Sequence, residues 1–405
     1  LPLKLRLVSP NHARANVLQQ VIDSYFPQAP GQRYQTAHGE SDESIEISIP
    51  PSYRDDTWEF VHLLMHTPLF SNAPEQSVGH VARTLRENPG DSDHASWRWQ
   101  AIGTAALPSM REFYTYPEAA PRFAALRAGA RLNDALVEPH LLDMARDTTA
   151  TTPAMRKDAI ALLGEMQAQP RIVLGLRELL NDDDVDVRIA AYEALINMDT
   201  PFVRTFYVDE QKYQIDFVDS NKPLIYVTLI DQPRIVVFGL EVEFDTPLTF
   251  STWSGKFLMK GDDNAETIDV AYLDSTGSTV PYRVSPRLHD FIPFLGHTTT
   301  VERPQPGLGL TYTEVVGLLA AIHDAHYLPA EFRTEQDRIR VALLERAQNP
   351  VEFDVRPEFD DVEGATPVDG FGDDATPLPA PPDDGDWVPA NIRLDEATRQ
   401  IIEGR

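Results

Sequence analysis

There is no cysteine among the 405 residues of this chain. That absence excludes disulfides, thiolate zinc sites and a cysteine nucleophile, while leaving the redox compartment open. No stretch approaches the roughly 18 to 20 consecutive apolar residues of a membrane span, so membrane insertion is not expected. Positive charge is scarce: 35 Lys and Arg stand against 63 Asp and Glu, for a formal charge of -28. Such a surface repels phosphate backbones and anionic headgroups, which argues against nucleic acid as a partner. Cofactor fingerprints are also missing. "GLGL" at 307–310 lacks the lysine and threonine of a phosphate-binding loop and the third glycine of a dinucleotide site, so it reads as a turn. No Gly-x-Ser-x-Gly elbow occurs. The chain opens Leu1-Pro2-Leu3, as expected of a processed product or an excised piece.

What is present points to an α+β multidomain protein, since the length exceeds one ordinary core and two to four domains are expected. Residues 3 to 8 alternate apolar and basic as a strand does, and Ser9-Pro10-Asn11 supplies a turn and a helix cap. The helix that follows places Ala13, Val17, Val21 and Tyr25, with Leu18 and Ile22, on one face. "SIEISIP" at 44–50 alternates as a half-buried strand, and an amphipathic helix from about Asp55 to His66 carries Trp58, Phe60, Val61, Leu64 and Met65. Residues 1–72 are therefore expected to form a small βαβα module.

Residues 73–204 read as a short α-solenoid. Aligning Arg122, Arg156 and Arg188 brings Ala125, Ala159 and Ala191 into register, then Ala128, Leu162 and Ala194, then Gly129, Leu163 and Leu195. The arginines are 34 and 32 residues apart, within the range of helical repeats. Pro121 and Pro153 open two units, and an acidic run, Asp182, Asp183, Asp184 and Asp186, opens the third. Carboxylates there are expected to cap free N–H groups. The rival, a calcium loop, needs a glycine at its tight turn and a distal glutamate, and Val185 interrupts the spacing.

Residues 205–350 read as a β-rich domain ending in two helices. "PLIYVTLI" and "RIVVFGLEVEF" suit strands buried on both faces, and "ETIDVAYL" with "TVPYRVS" suits a hairpin around Ser275 to Ser278. The helices are expected from Thr311, with Glu314 in the first turn, and over roughly 330 to 348. In the tail, 351–405, the stretch 351–386 holds twelve acidic residues against one basic, too polar to fold alone. "IRLDEATRQII" within it is a candidate terminal helix.

Chemistry-bearing clusters are few. His62 and His66 have metal spacing on one helix but no third ligand, and the denser His323, Asp324 and His326 lack further ligands too. "DDNAE" at 262–266 reads as a hairpin loop, with weak calcium ligation as the alternative. Trp253, Phe250 and Phe257 read as core. No catalytic, cofactor-binding or metal-binding residue is assigned.

"LRLVSPNHARANVLQQVIDSYF" followed by "SIEISIPPSYRDDTWEFVHLLMHTPL" resembles the C-terminal part of the flagellar basal-body P-ring protein family. Pro10, Ile22, Phe26, Ile45, Ile47, Pro50, Phe60, Leu64, Pro68 and Leu69 carry the pattern. The later repeats resemble HEAT repeats, an addition similar to planctomycete-type versions. The resemblance implies a non-enzymatic subunit of a ring around the flagellar rod. It implies the periplasm as location, and as neighbours other copies of the chain, rod and L-ring proteins and peptidoglycan. Two alternatives accompany it: a scaffold or adaptor that binds a protein partner through the solenoid, and an enzyme or ligand-binder on the β-rich domain using Asp216, Glu241, Glu243 or His289.

Overall fold

The computed structural model describes residues 3–338 and 340, apart from residues 55, 69–73, 210–211, 229–232 and 274–276. The expected tail, 351–405, and the far end of the helix expected to 348 lie outside the described residues. Helix and sheet are both abundant, one region is built of helical repeats, and the chain divides into two compact units after Glu112.

The first unit begins with β1 (Leu3–Arg6) and α1 (His12–Tyr25), whose first turn is capped by the Asn11 side chain accepting from the Arg14 N–H. β2 (Ala37–Gly39) and β3 (Ser44–Ile47) complete a sheet of order β1-β3-β2, antiparallel throughout. β2 was not expected. Three residues are too few to show a period, and pairing with β3 is what makes them a strand. α2 (Thr57–His66) starts on the Asp56 carboxylate, so the module is βαββα rather than βαβα. Ile22, Phe26, Ile45, Ile47 and Phe60 fill its core, with Phe26 edge-on to Phe60 at 5.1 Å.

The buried stripe of α1 differs from the expected one. Ala15 and Ile22 are buried, while Val17 is 43% exposed and Ala13 is also at the surface. Polar contacts to the unforeseen strand explain the rotation: Asp23 Oδ1 accepts the Ala37 N–H at 2.8 Å, and Gln19 Oε1 accepts that of Gly39 at 3.2 Å. α3 (Pro74–Glu87), α4 (Ser92–Ile102) and α5 (Leu107–Arg111) follow, with α4 packed on both α2 and α3. Residues 73–112, read from sequence with the solenoid, thus belong to the first unit.

In the second unit, α6 (Ala119–Arg131) and α7 (Val137–Arg146) make one repeat, α8 (Pro153–Glu165) and α9 (Pro170–Leu179) the next, and α10 (Val185–Asn197) stands as the first helix of a third, with α8 packed on α7 and α10. The aligned alanines Ala125, Ala159 and Ala191 are all fully buried. Close approach needs small residues: a Cβ on Gly164 would lie 2.8 Å from the Ala194 Cα. Equivalent helix ends are tied by Arg131 to Glu165 at 2.7 Å and by Arg146 to Glu178.

Where a second helix would complete the third repeat, the chain turns into β4 (Val203–Val208) and β5 (Tyr213–Val218), then β6 (Leu224–Thr228) and β7 (Arg234–Phe238). A meander of β8 (Leu248–Thr252), β9 (Phe257–Gly261), β10 (Ile268–Leu273) and β11 (Thr279–Val284) forms a separate four-stranded sheet. The expected hairpin is β10 with β11, Leu273 opposite Thr279. α11 (Leu288–Gly296) lies where short β segments were expected, up to residue 295. α12 (Tyr312–Asp324) carries the expected cap, Thr311 and Glu314 exchanging bonds with each other's backbone N–H. Residues expected to begin a second helix near 330 form β12 (Glu331–Thr334), parallel to β6, and helix follows from residue 335. The larger sheet has the order β12-β6-β7-β5-β4. One core, including Ile235, Phe257, Phe291 and Leu318, joins both sheets to α11 and α12.

Candidate functional site

A carboxylate in the middle of an apolar strand is the strongest local anomaly. All six positions of β5 are buried, and Asp216 among them is fully so. Burying a charge is tolerable only when its acceptor sites are filled. They are filled here: Oδ2 accepts the Tyr192 hydroxyl at 2.5 Å, and Oδ1 accepts Thr205 Oγ1 at 2.7 Å and Gln214 Nε2 at 2.8 Å. Arg234 adds a cation 3.4 Å from Oδ2 and donates to the Tyr192 hydroxyl at 3.0 Å. Burial, and then the charge of Asp216, push the Tyr192 hydroxyl far above its usual range. The network bolts α10 to the larger sheet, and none of its carboxylate oxygen is open to a substrate.

Tyr192 was missed in the sequence, although a signal exists. It stands four residues after Arg188, where the two earlier repeats place Leu126 and Ile160. Those two are fully buried against neighbouring helices. The third repeat meets a sheet instead, and the aromatic with a polar tip fits that change.

The other acidic candidates stand elsewhere. Glu243 and Glu241 both face Arg287, at 2.8 and 3.6 Å, and the Glu243 bond leads the upward shift of the guanidinium. His289 reaches Asp290 at 3.1 Å and turns an edge to Phe217 at 6.3 Å. Phe217 follows Asp216 in the strand and so points to the opposite face. Asp216 therefore stands apart from His289, while the Asp290 that His289 meets also acts on Arg287 of the Glu241–Glu243 pair.

The aspartate run is divided among four structural roles. Asp184 caps α10, accepting N–H bonds from Asp186 and Val187 at 2.8 and 3.2 Å. Asp182 takes the buried Arg156, whose Nε also donates to the Ala145 carbonyl at 2.8 Å. Asp183 pairs with Lys222, and Asp186 lies 3.7 Å from Arg338 and 3.9 Å from Lys157. Capping by the whole run was expected; one residue does it. Among the described residues no cluster of three or more His, Asp or Glu is placed to hold a metal ion.

Arg188, one repeat beyond Arg156, is 1% exposed and donates to the Lys222 carbonyl at 3.0 Å and to Glu331 at 2.7 Å. Its equivalent Arg122 donates to the Tyr116 carbonyl at 3.1 Å. Asp147, near it in charge, is held at about 2 by the Ala150 N–H first and by the Thr149 hydroxyl and N–H.

The histidines form a packed cluster in the first unit. His62 stacks on Trp97 at 4.6 Å and meets the edge of Trp58 at 4.5 Å. His66 donates to the His62 carbonyl at 2.7 Å and lies 5.4 Å from the His94 ring. Burial is the main reason that its pKa falls to about 4, with His94, His62 and Arg98 adding repulsion. At the other end of the chain, His323 and Asp324 are an exposed pair 3.4 Å apart, and His326 adopts a positive φ of 60° in the turn after α12. Residues 262–266 make the β9–β10 loop, where the Asn264 N–H donates to Thr246 at 3.3 Å. "GLGL" lies along the end of α11: the N–H groups of Leu308, Gly309 and Leu310 donate to the Phe294, His297 and Leu295 carbonyls. Those bonds satisfy carbonyls that a helix end leaves open.

No protein-family model matches the chain. No curated protein matches it either. Among solved structures, a chain of the complex of CpcE and CpcF of phycocyanin lyase from Nostoc sp. PCC7120 is similar over 31% of this chain and 79% of its own. Its identity is 20% and its TM-score 0.26, and a likeness at that level carries no argument about activity.

Proposed function

We propose that the protein is a non-enzymatic structural subunit of a ring of the flagellar basal-body P-ring type, assembling around the rod in the periplasm. One observation carries the reading. Five of the ten residues through which the first module resembles that family lie in its core: Ile22, Phe26, Ile45, Ile47 and Phe60 are all buried together. Small modules of this kind pack side by side, and closed rings follow from head-to-tail contacts between copies. The HEAT-like helices and the sheets then act as an added body on each subunit. The arrangement of Asp216, whose partners are all protein groups, supports a structural rather than a catalytic use of the most buried acid. The test is negative-stain imaging of the purified chain beside a version lacking residues 1–112. Closed rings of uniform diameter in the first and none in the second are expected. Dispersed single particles in both would remove the ring reading.

A second reading, a scaffold that binds a protein partner through the repeats, is favoured by one feature. α7 buries six of its ten residues but α9 only four, although α7 and α10 both pack on it. Leu174 is left 51% exposed beside Arg177, Asn181 and the Asp219–Asn221 turn, in a shallow cleft. A full-length chain that stays monomeric and retains a defined partner, and loses that partner on Leu174→Glu, would favour this reading.

A further inference from the structure

An edge strand exposes a row of unpaired N–H and C=O groups, and folded proteins guard such rows with short strands, charges or proline. Most edges here are guarded. β1 is four residues long with Lys4 and Arg6, β2 is three, β12 is four with Arg333, and β11 carries Pro281 and Arg283. β8 is five residues long and sets Thr249 and Ser251 outward. β4 differs: it runs six residues, Val-Arg-Thr-Phe-Tyr-Val, without lysine or proline, at the outer edge of the five-stranded sheet. Among the described residues, no backbone bond joins Val203–Tyr207 to any strand but β5. Phe206 is 53% exposed and Tyr207 60%, on opposite faces of that edge.

We infer that β4 pairs antiparallel with β4 of a second copy of this chain, joining two five-stranded sheets into one. Charge and pairing chemistry favour a second copy as the occupant. In a chain of formal charge -28, residues 203–208 contain one arginine and no acid, so repulsion between copies is least along this strand. A twofold axis through Thr205, perpendicular to the sheet, places Val203 opposite Tyr207, Arg204 opposite Phe206 and Thr205 opposite itself. Aromatic with β-branched and cation with aromatic face are favourable cross-strand pairs, and no like charges oppose. The contact is isologous, so it links subunits in twos and is separate from any head-to-tail contact of the first unit.

The lack of cysteine makes a direct test available. Full-length chains carrying Val203→Cys or Tyr207→Cys are oxidised mildly, singly and mixed. Opposed strand residues stand roughly 4.5–5.5 Å apart at Cα, within disulfide reach. The mixture is expected to give a heterodisulfide dimer and neither chain alone to do so. Tyr207→Lys, with its thermal midpoint checked against the parent, is expected to weaken dimerisation about tenfold by equilibrium sedimentation. Absence of the mixed disulfide overturns the inference. So does a parent that is monomeric at every concentration with its β4 amides protected from exchange, which would mean that another segment of the same chain covers the edge.

Discussion

Arg156 and Arg188 hold the same place in successive repeats and are both buried, yet they face different neighbours. Arg156 reaches Asp182 in the turn that opens the next repeat. Arg188 finds no next repeat, and its guanidinium bonds the Lys222 carbonyl and Glu331 of β12 instead. A repeat register fixes where a buried cation sits; the neighbouring element decides what answers it. The same substitution of context turns Leu126 and Ile160 of the earlier repeats into Tyr192, whose hydroxyl needs Asp216. The last helix of the array is thus both a repeat and an adapter to a sheet.

The largest effect should fall on the adapter. Asp216→Ala would strand Tyr192 and Gln214 in a dry site and take a partner from Thr205 and Arg234, and a loss of about 3–5 kcal/mol is expected in urea unfolding of the second unit. Asp216→Asn should lose clearly less, since the amide oxygen still accepts. If the two variants unfolded alike, the network would not be what joins α10 to the sheet.

The arginines can be compared directly. Arg156→Met leaves Asp182, with a side chain 13% exposed, without its cation, and a loss near 3 kcal/mol (about that of other broken buried pairs) is expected. Arg188→Met leaves Glu331, which is 47% exposed and can turn to water, so about 1–2 kcal/mol is expected after allowing for solvent screening. Equal losses would mean that the helix packing, not the partner, sets the worth of the position.

Acid should separate the two units. His66 is held at about 4 in the folded state, chiefly by burial, against roughly 6.5 when unfolded. Between those values the unfolded chain binds the extra proton, so stability falls as pH drops from 6.5 towards 4, by up to about 3 kcal/mol. Amide exchange in α2 and α4 should rise over that window, and His66→Phe should flatten the change. Exchange that is insensitive to pH there would remove the histidine cluster as the cause.

Smaller effects test the seams. Gly164→Ala presses a methyl group onto Ala194 and is expected to cost about 1–3 kcal/mol by thermal unfolding. Within the acidic run, Asp184→Ala should cost about 1 kcal/mol through its lost cap. Asp183, whose side chain is fully exposed, should be nearly silent when replaced. A larger effect at Asp183 than at Asp184 would reverse the roles given to them.

How much of this was legible follows from range. The repeat register could be read because its signals recur at a fixed interval and its contacts are local, as Ala125, Ala159 and Ala191 show. β6 and β7 were readable as buried strands from their apolar runs. β12 was not: "EFRT" becomes a strand only because β6 lies beside it, more than a hundred residues earlier in the chain. α11 was hidden because its apolar run, Phe291 to Leu295, fits a buried strand as well as a short helix. Of the four named candidates, Asp216 alone is fully buried in its network, and its partners outside β5 come from α10, β4 and β7, which no spacing in the sequence connects.

If the first unit drives assembly as proposed, the mass in solution reports it. Light scattering across concentration should give large closed assemblies for the full chain, and no more than dimers once residues 1–112 are removed. A full-length chain that remains monomeric at every concentration would contradict the account.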